Sequence, residues 1–259
     1  MNRFRGSMKH PDATLLNQCV NFTDNLDLDT PIYRTMPIER LIQILESRKL
    51  TLMKPKKWED PFENSFLLSK FILDGKPVNL NPRKSIYGLC WTIHQESDAI
   101  WRIYSHDKRG VTVKTTPRKL LKSLNAAIGA FSSISCFIGK VKYLEKTEIY
   151  DEYKKIAQRI SQYDGKPLAE SLLYKRAAFN HENEVRLLYH EHDKDCENDL
   201  FQFDINPYDL FDQIMFDPRL DRSIYDIYKD GIVKLGFTGK IIKSILYDMP
   251  EKDTYHINL

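Results

Sequence analysis

Apolar positions along this chain recur with two spacings, and the alternation between them predicts a mixed succession of strands and helices. Residues 32–35 (Ile-Tyr-Arg-Thr) are short and β-prone. Residues 37–49 follow with Ile38, Leu41, Ile42 and Leu45 on one face of a 3.6-residue period, which predicts an amphipathic helix. A second short strand is expected at 50–53. The Asp60-Pro61 pair then marks 58–63 as a loop, and residues 75–83 read as irregular. Further on, the pattern predicts a central strand at 86–93, a short helix at 96–104 and a strand at 110–114. A helix at 117–130 and a strand at 138–143 come next. Residues 148–180 read as a charged helical region broken near Asp164-Gly165-Lys166-Pro167, and 182–189 as a strand. The remainder carries Ile214-Met215-Phe216-Asp217-Pro218 and predicts a helix over 221–235 and a last strand near 241–247.

This order implies an α+β fold: mixed, largely antiparallel sheets around a cleft, with flanking helices. The polar residues 1–30 read as an N-terminal arm. Residues 31–259 read as a single domain, with 195–259 as a C-terminal extension packed on it. Hydrophobic residues make up 42% of the chain and charged residues 29%, a balance that predicts folding rather than disorder. The net charge is only +3, so bulk charge gives no polyanion-binding signature. No apolar run suits a membrane span and the start lacks a secretory pattern, so cytoplasm and no membrane partner are expected. Cys19, Cys90, Cys136 and Cys196 are dispersed, without metal or redox spacing, and read as free thiols.

Three polar-aromatic segments carry candidate chemistry. In the strand expected at 182–189, alternation points Val185, Leu187 and Tyr189 to one face and Glu182, Glu184 and Arg186 to the other. Neighbouring carboxylates repel, so that face is either an exposed one balanced by Arg186 or a functional one. Tyr33-Arg34-Thr35 offers a planar guanidinium that suits phosphate or carboxylate, or else a surface salt bridge beside a core tyrosine. Trp91 and Thr92, with Trp101 and Tyr104 shortly after, offer an aromatic wall with a polar rim, or simply core aromatics. The loop at Glu59, Asp60 and Glu63 can fold over a ligand, bind a metal or cap a helix. The motifs of phosphate loops, dinucleotide folds, zinc proteases and nucleophile elbows are absent.

In order, these segments resemble the bacterial family catalogued as domain of unknown function 2971. The resemblance rests on Tyr33-Arg34, Glu59 to Glu63, Cys90-Trp91-Thr92, Trp101 to Tyr104, Gly110-Val111, Lys175 and Glu182-Asn183-Glu184-Val185-Arg186. More loosely, the succession of Arg34, Thr92 and Glu184 is similar to that of ADP-ribosyltransferases. That resemblance implies NAD as co-substrate and no metal. Arg34 would contact the NAD phosphates or ribose, beside Tyr33 and Thr35. Thr92 would hold its strand at the nicotinamide pocket, where Tyr104 or Trp91 would stack, with Trp101 nearby. Glu184 would be the catalytic acid and Glu182 would position the nucleophile, with Asp60, Glu63, Lys175 and Arg186 as further site candidates. It also implies a macromolecular acceptor, protein or nucleic acid, a role as toxin or anti-phage effector, and an antitoxin or regulatory partner. A single Thr92 stands where many such transferases carry a Ser-Thr-Ser run.

Two other function classes fit the same residues. Asp60, Glu63, Glu182 and Glu184 are the oxygen donors that a magnesium-dependent nuclease or hydrolase needs, with Lys175 assisting. A non-catalytic nucleotide-sensing or interaction module would instead bind a ligand in an aromatic pocket whose carboxylates are neutralised by Arg186.

Overall fold

The computed structural model describes residues 26–78, 85–160, 165–191, 196–250 and 254. The expected extended and helical segments fall largely where the hydrophobic pattern places them. Strand β1 is Ile32–Pro37, followed by helix α1 (Ile38–Ser47) and strand β2 (Lys49–Met53). Helix α1 buries Ile38, Leu41, Ile44 and Leu45, and it stops at Arg48, whose left-handed φ of 53° ends the helical hydrogen-bond ladder. A hairpin of β3 (Phe71–Leu73) and β4 (Lys76–Val78) precedes the central strand β5 (Ile86–Thr92). Then come α2 (Asp98–Tyr104), β6 (Gly110–Thr115), α3 (Pro117–Ile128), β7 (Cys136–Lys140) and β8 (Lys142–Leu144). Helices α4 (Lys146–Ala157) and α5 (Lys166–Ser171) lead to β9 (Tyr174–Arg176) and β10 (Glu184–His190). The chain continues through β11 (Leu200–Asp204), β12 (Gln213–Phe216), α6 (Arg222–Lys234) and β13 (Lys240–Lys243).

Nine of these strands form one mixed sheet, antiparallel except for the β12–β13 pair, with two-stranded sheets β3–β4 and β8–β9 beside it. The last three strands, β11 to β13, are built into that same sheet: β11 beside β2, and β12 between β6 and β13. No helix among the described residues is long and apolar enough to cross a membrane.

The sheet divides at β5. On one edge β5 pairs with β10 along its whole length, from Glu184 opposite Thr92 to His190 opposite Ile86. On its other edge it shares itself between two strands that never meet. Met53 of β2 lies opposite Gly88, and Tyr33 of β1 lies opposite Thr92. Between those two pairs the edge of β5 has no strand partner at Cys90. Its carbonyl instead accepts a hydrogen bond of 2.6 Å from Nη1 of Arg34. A buried carbonyl left without a partner is costly, so the guanidinium stands in for the missing strand. This fork is the floor of the cleft.

Strand β10 is buried on both faces, which corrects the reading of its polar face as exposed. Val185, Leu187 and Tyr189 enter the larger core cluster with Trp91 and Leu89. Leu188 joins the second cluster, with Phe66, Phe137, Tyr153 and Leu168. Two expectations shift further. Residues 174–176, expected within a charged helix, form β9, because Lys142–Leu144 pairs with them in parallel register and Tyr174 drops into the second core. Residue 182 lies outside β10: Ala177–Glu182 is a 3-10 helix, and Asn183, with φ of 43°, turns the chain into the strand. Cys19, residues 1–25 of the expected arm and residues 79–83 of the expected irregular stretch fall outside the described residues.

Candidate active site

A cleft of about 410 Å³ opens on the forked face of the sheet. Its lining includes Tyr33, Arg34, Thr35, Asp60, Glu63, Thr92, Tyr104, Lys175, Glu182, Glu184 and Arg186, so segments spread over more than 150 residues of sequence converge on it.

Strand alternation decides which part of β5 faces this space. Gly88, Cys90 and Thr92 point into it, while Tyr87, Leu89 and Trp91 belong to the larger core on the opposite face. Trp91 also borders the cleft, but it is only 2% exposed and packs in the larger core. Trp101 is also a core residue. It is fully buried, its indole N–H bonds Glu96, and it is not part of the lining. On α2 the residues three and four apart, Ile100, Ile103 and Tyr104, share the face toward the cleft, which turns Trp101 away. Tyr104 lies half exposed at the mouth.

The acidic centre is a five-residue charge network. Lys175 Nζ lies 2.6 Å from Glu184 Oε1, 3.4 Å from Glu63 Oε1, and in closer contact still with Glu182 Oε2. Arg186 donates from Nε to Glu184 Oε2 at 2.7 Å, pairs through Nη2 with Glu63 Oε2, and gives Nη1 to the Leu172 carbonyl at 2.7 Å. The Glu184 backbone N–H donates to the Tyr143 hydroxyl at 2.9 Å. Thr92 donates to the Glu182 carbonyl at 2.7 Å and accepts from the His94 N–H, tying the end of β5 to the carboxyl-bearing turn.

Burial and charge push these two carboxyls apart. Burial raises Glu182 to about 8, and its hydrogen-bonded neighbour Glu184 adds to the rise. Burial also works to raise Glu184, but Arg186, the hydrogen bond with Glu182 and Lys175 outweigh it and hold Glu184 below the ordinary carboxylate range. A carboxylate and a carboxylic acid side by side divide acid and base duties between them. Burial raises Glu63 as well, against the pull of Arg186 and Lys175. At the other end of the cleft, burial lowers the pKa of Arg34. No carboxylate lies within ion-pairing distance of Arg34 among the described residues.

Asp60 stands slightly apart. It caps the 3-10 turn Pro61–Asn64 by accepting the Phe62 N–H at 3.0 Å and pairs with Arg176 at 2.8 Å. Thr35 shares a hydroxyl contact of 2.8 Å with Thr112.

Sequence reasoning gives no site role to Trp58, Phe179, Gly88 or Cys90, all of which line the cleft, although residue 58 opens the expected loop and Cys90 belongs to the Cys90-Trp91-Thr92 motif. The Trp58 ring carries the Arg186 guanidinium 4.5 Å from its centroid, and Phe179 lies 4.8 Å from Lys175 Nζ. A Cβ on Gly88 would sit 2.6 Å from the Trp58 ring. A glycine inside a strand marks close approach of another group, so Gly88 was the available signal.

Fold and cleft together define an α+β protein with a forked, largely antiparallel sheet and a buried carboxyl–cation centre. Residues 100–187 match the model of a protein family of unknown function, DUF2971. That span runs from α2 to β10 and contains Tyr104, Lys175, Glu182, Glu184 and Arg186. No curated protein matches the chain. Among solved structures, it is similar to Thermus sp. 2.9 DarT in complex with carba-NAD+ (13% identity, TM-score 0.37, covering 84% of this chain and 97% of that one). It is also similar to the same protein in complex with ADP-ribosylated ssDNA (11% identity, TM-score 0.40, 85% and 96% covered).

Proposed function

We propose that this protein is an ADP-ribosyltransferase-like enzyme that takes NAD as co-substrate and transfers ADP-ribose to a macromolecular acceptor, protein or nucleic acid. The observation that carries the reading is the split carboxyl pair Glu182/Glu184, set in one cleft with Arg34 and the aromatic rings of Tyr33, Trp58 and Tyr104. The volume of about 410 Å³ lies in the range of small-molecule sites. Arg34, free of any carboxylate partner among the described residues, is the group for a phosphate. Tyr104, half exposed, is the ring best placed to stack.

In the reaction the nicotinamide–ribose bond breaks with its electron pair going to nicotinamide, and an acceptor lone pair forms the new bond to the ribose. The ionised Glu184 stabilises the positive charge that develops on the sugar. Glu182 orients the acceptor, whose proton passes through the carboxyl pair to water. The finer reading includes a cytoplasmic setting, a role as toxin or anti-phage effector, and an antitoxin or regulatory partner.

A second reading has an observation of its own. Both oxygens of Glu184 are engaged by cations, which is the arrangement expected of a nucleotide-sensing module that binds without turnover. A magnesium site fits less well. Asp60, Glu63, Glu182 and Glu184 are each held by Arg176, Arg186 or Lys175, which supply the positive charge a metal would. Measured binding of NAD and release of nicotinamide separate the first two readings. The transferase reading expects both, with release lost in Glu184→Gln and binding kept. Binding without release supports the sensor, and absence of NAD binding overturns the NAD assignment.

A further inference from the structure

The carboxyl–cation centre has an uneven charge count. Glu63, Glu182 and Glu184 supply three carboxyls, and Lys175 and Arg186 supply two cations. Counting direct ion-pair partners alone, this largely buried cluster has one cation fewer than carboxyls, and taking up a proton relieves the imbalance. The contacts differ among the three carboxyls. Glu184 has one oxygen on each cation, and Glu63 likewise faces both. Among the described residues Glu182 pairs with one cation, Lys175. The Glu182 side chain is 20% exposed against 4% and 7% for Glu63 and Glu184.

We propose that Lys175 is a positioning residue for the carboxyl pair: by gripping Glu182 and Glu184 together, it fixes Glu182 as the proton-bearing carboxyl presented to the ligand and Glu184 as the ionised one behind it. The idea deepens the transferase reading and rests on it for the reaction, while the protonation states stand on the geometry alone. Lys175 reaches this place because β9 is pinned beside β8, where Tyr143 of β8 lies opposite Lys175. Its ammonium lies 4.8 Å from the Phe179 ring centroid, and Glu184, Glu63 and Glu182 keep it charged despite burial. The other titratable or charged groups facing the pair are Arg34 of β1, Cys90 of β5, Tyr104 of α2 and Tyr143 of β8. The Asp60–Arg176 pair and His181 complete the polar side of the cleft. Among them no second cation comes within ion-pair range of Glu182.

The test is carbon NMR titration of the protein labelled at the glutamate side-chain carboxyls, comparing native, Glu182→Gln and Lys175→Met. The native protein is expected to show one carboxyl titrating near pH 8 that vanishes in Glu182→Gln. Lys175→Met deepens the charge deficit, so a second carboxyl is expected to titrate at higher pH than in the native protein. Unchanged carboxyl titrations in Lys175→Met would overturn the proposal, as would a native protein with no carboxyl titrating above pH 6.5. Should Lys175→Met fail to fold, native against Glu182→Gln decides: a high titration that persists without Glu182 overturns it. Nicotinamide release from NAD between pH 5 and 9 is followed in parallel. The expected titrations without any release would keep the positioning role of Lys175 and remove the transferase reading instead.

Discussion

Arg186→Met is the substitution that tests the charge network most severely. Arg186 is 1% exposed, and it neutralises Glu184 and Glu63 while satisfying the Leu172 carbonyl. Methionine fills similar volume without charge, so the loss is electrostatic rather than a cavity. Removing one partner of a buried ion pair costs about 3–5 kcal/mol. The alternative open to the protein is to protonate a second carboxyl. At pH 7.5 a group with an ordinary pKa of about 4.3 carries a proton only at a cost of about 4 kcal/mol, and at pH 5 that cost falls to about 1 kcal/mol. The two routes agree, so Arg186→Met is expected to destabilise by about 3–5 kcal/mol at pH 7.5 and by clearly less at pH 5. Urea unfolding of native and variant protein at both pH values measures it. A loss below about 1 kcal/mol at pH 7.5, or one equal at both pH values, would refute the reasoning.

Gly88→Ala places a methyl 2.6 Å from the Trp58 ring, and overpacking of this kind costs about 1–3 kcal/mol; thermal unfolding and loss of Trp58 fluorescence anisotropy read it. Thr92→Val removes the hydrogen bonds to the Glu182 carbonyl and the His94 N–H and is expected to cost about 1 kcal/mol of stability in urea. Because the folded pKa of Glu182 lies above its unfolded value, its proton stabilises the fold below about pH 4.5, and that contribution is lost as pH rises through about 8. Melting temperature is therefore expected to decline over that window in the native protein and to decline less in Glu182→Gln.

Much of the frame was legible because its signals are local. The spacing of Ile38, Leu41 and Leu45 placed α1, and the alternation of Val185, Leu187 and Tyr189 placed β10. Glu184 and Arg186 were read correctly as sharing a face, but the sequence does not show that a second core covers that face. The charge density around Lys175 suggests a solvated helix, but pairing of β9 with β8, about 30 residues away, makes it a strand. The left-handed turn at Asn183 moves the start of β10 by two residues and places Glu182 before the strand, yet Lys175 still draws it to Glu184. The resemblance implies both Trp91 and Trp101 as ligand contacts; Trp101 is buried away from the cleft, whereas Trp91 borders it while packing almost wholly in the core. Trp58 escaped notice because its place depends on Gly88, thirty positions further on. The fork in the sheet is likewise a long-range property, visible only once β1 and β2 are both set against β5.

The central claim is transfer of ADP-ribose by the Glu182/Glu184 cleft. Its most direct measurement offers NAD labelled in the adenylate portion to cell lysate, with native protein in one sample and Glu184→Gln in the other. The account predicts label on a macromolecule with the native protein alone, and digestion by protease or nuclease then gives the acceptor class. Absence of label from both samples, or equal label from both, would contradict it.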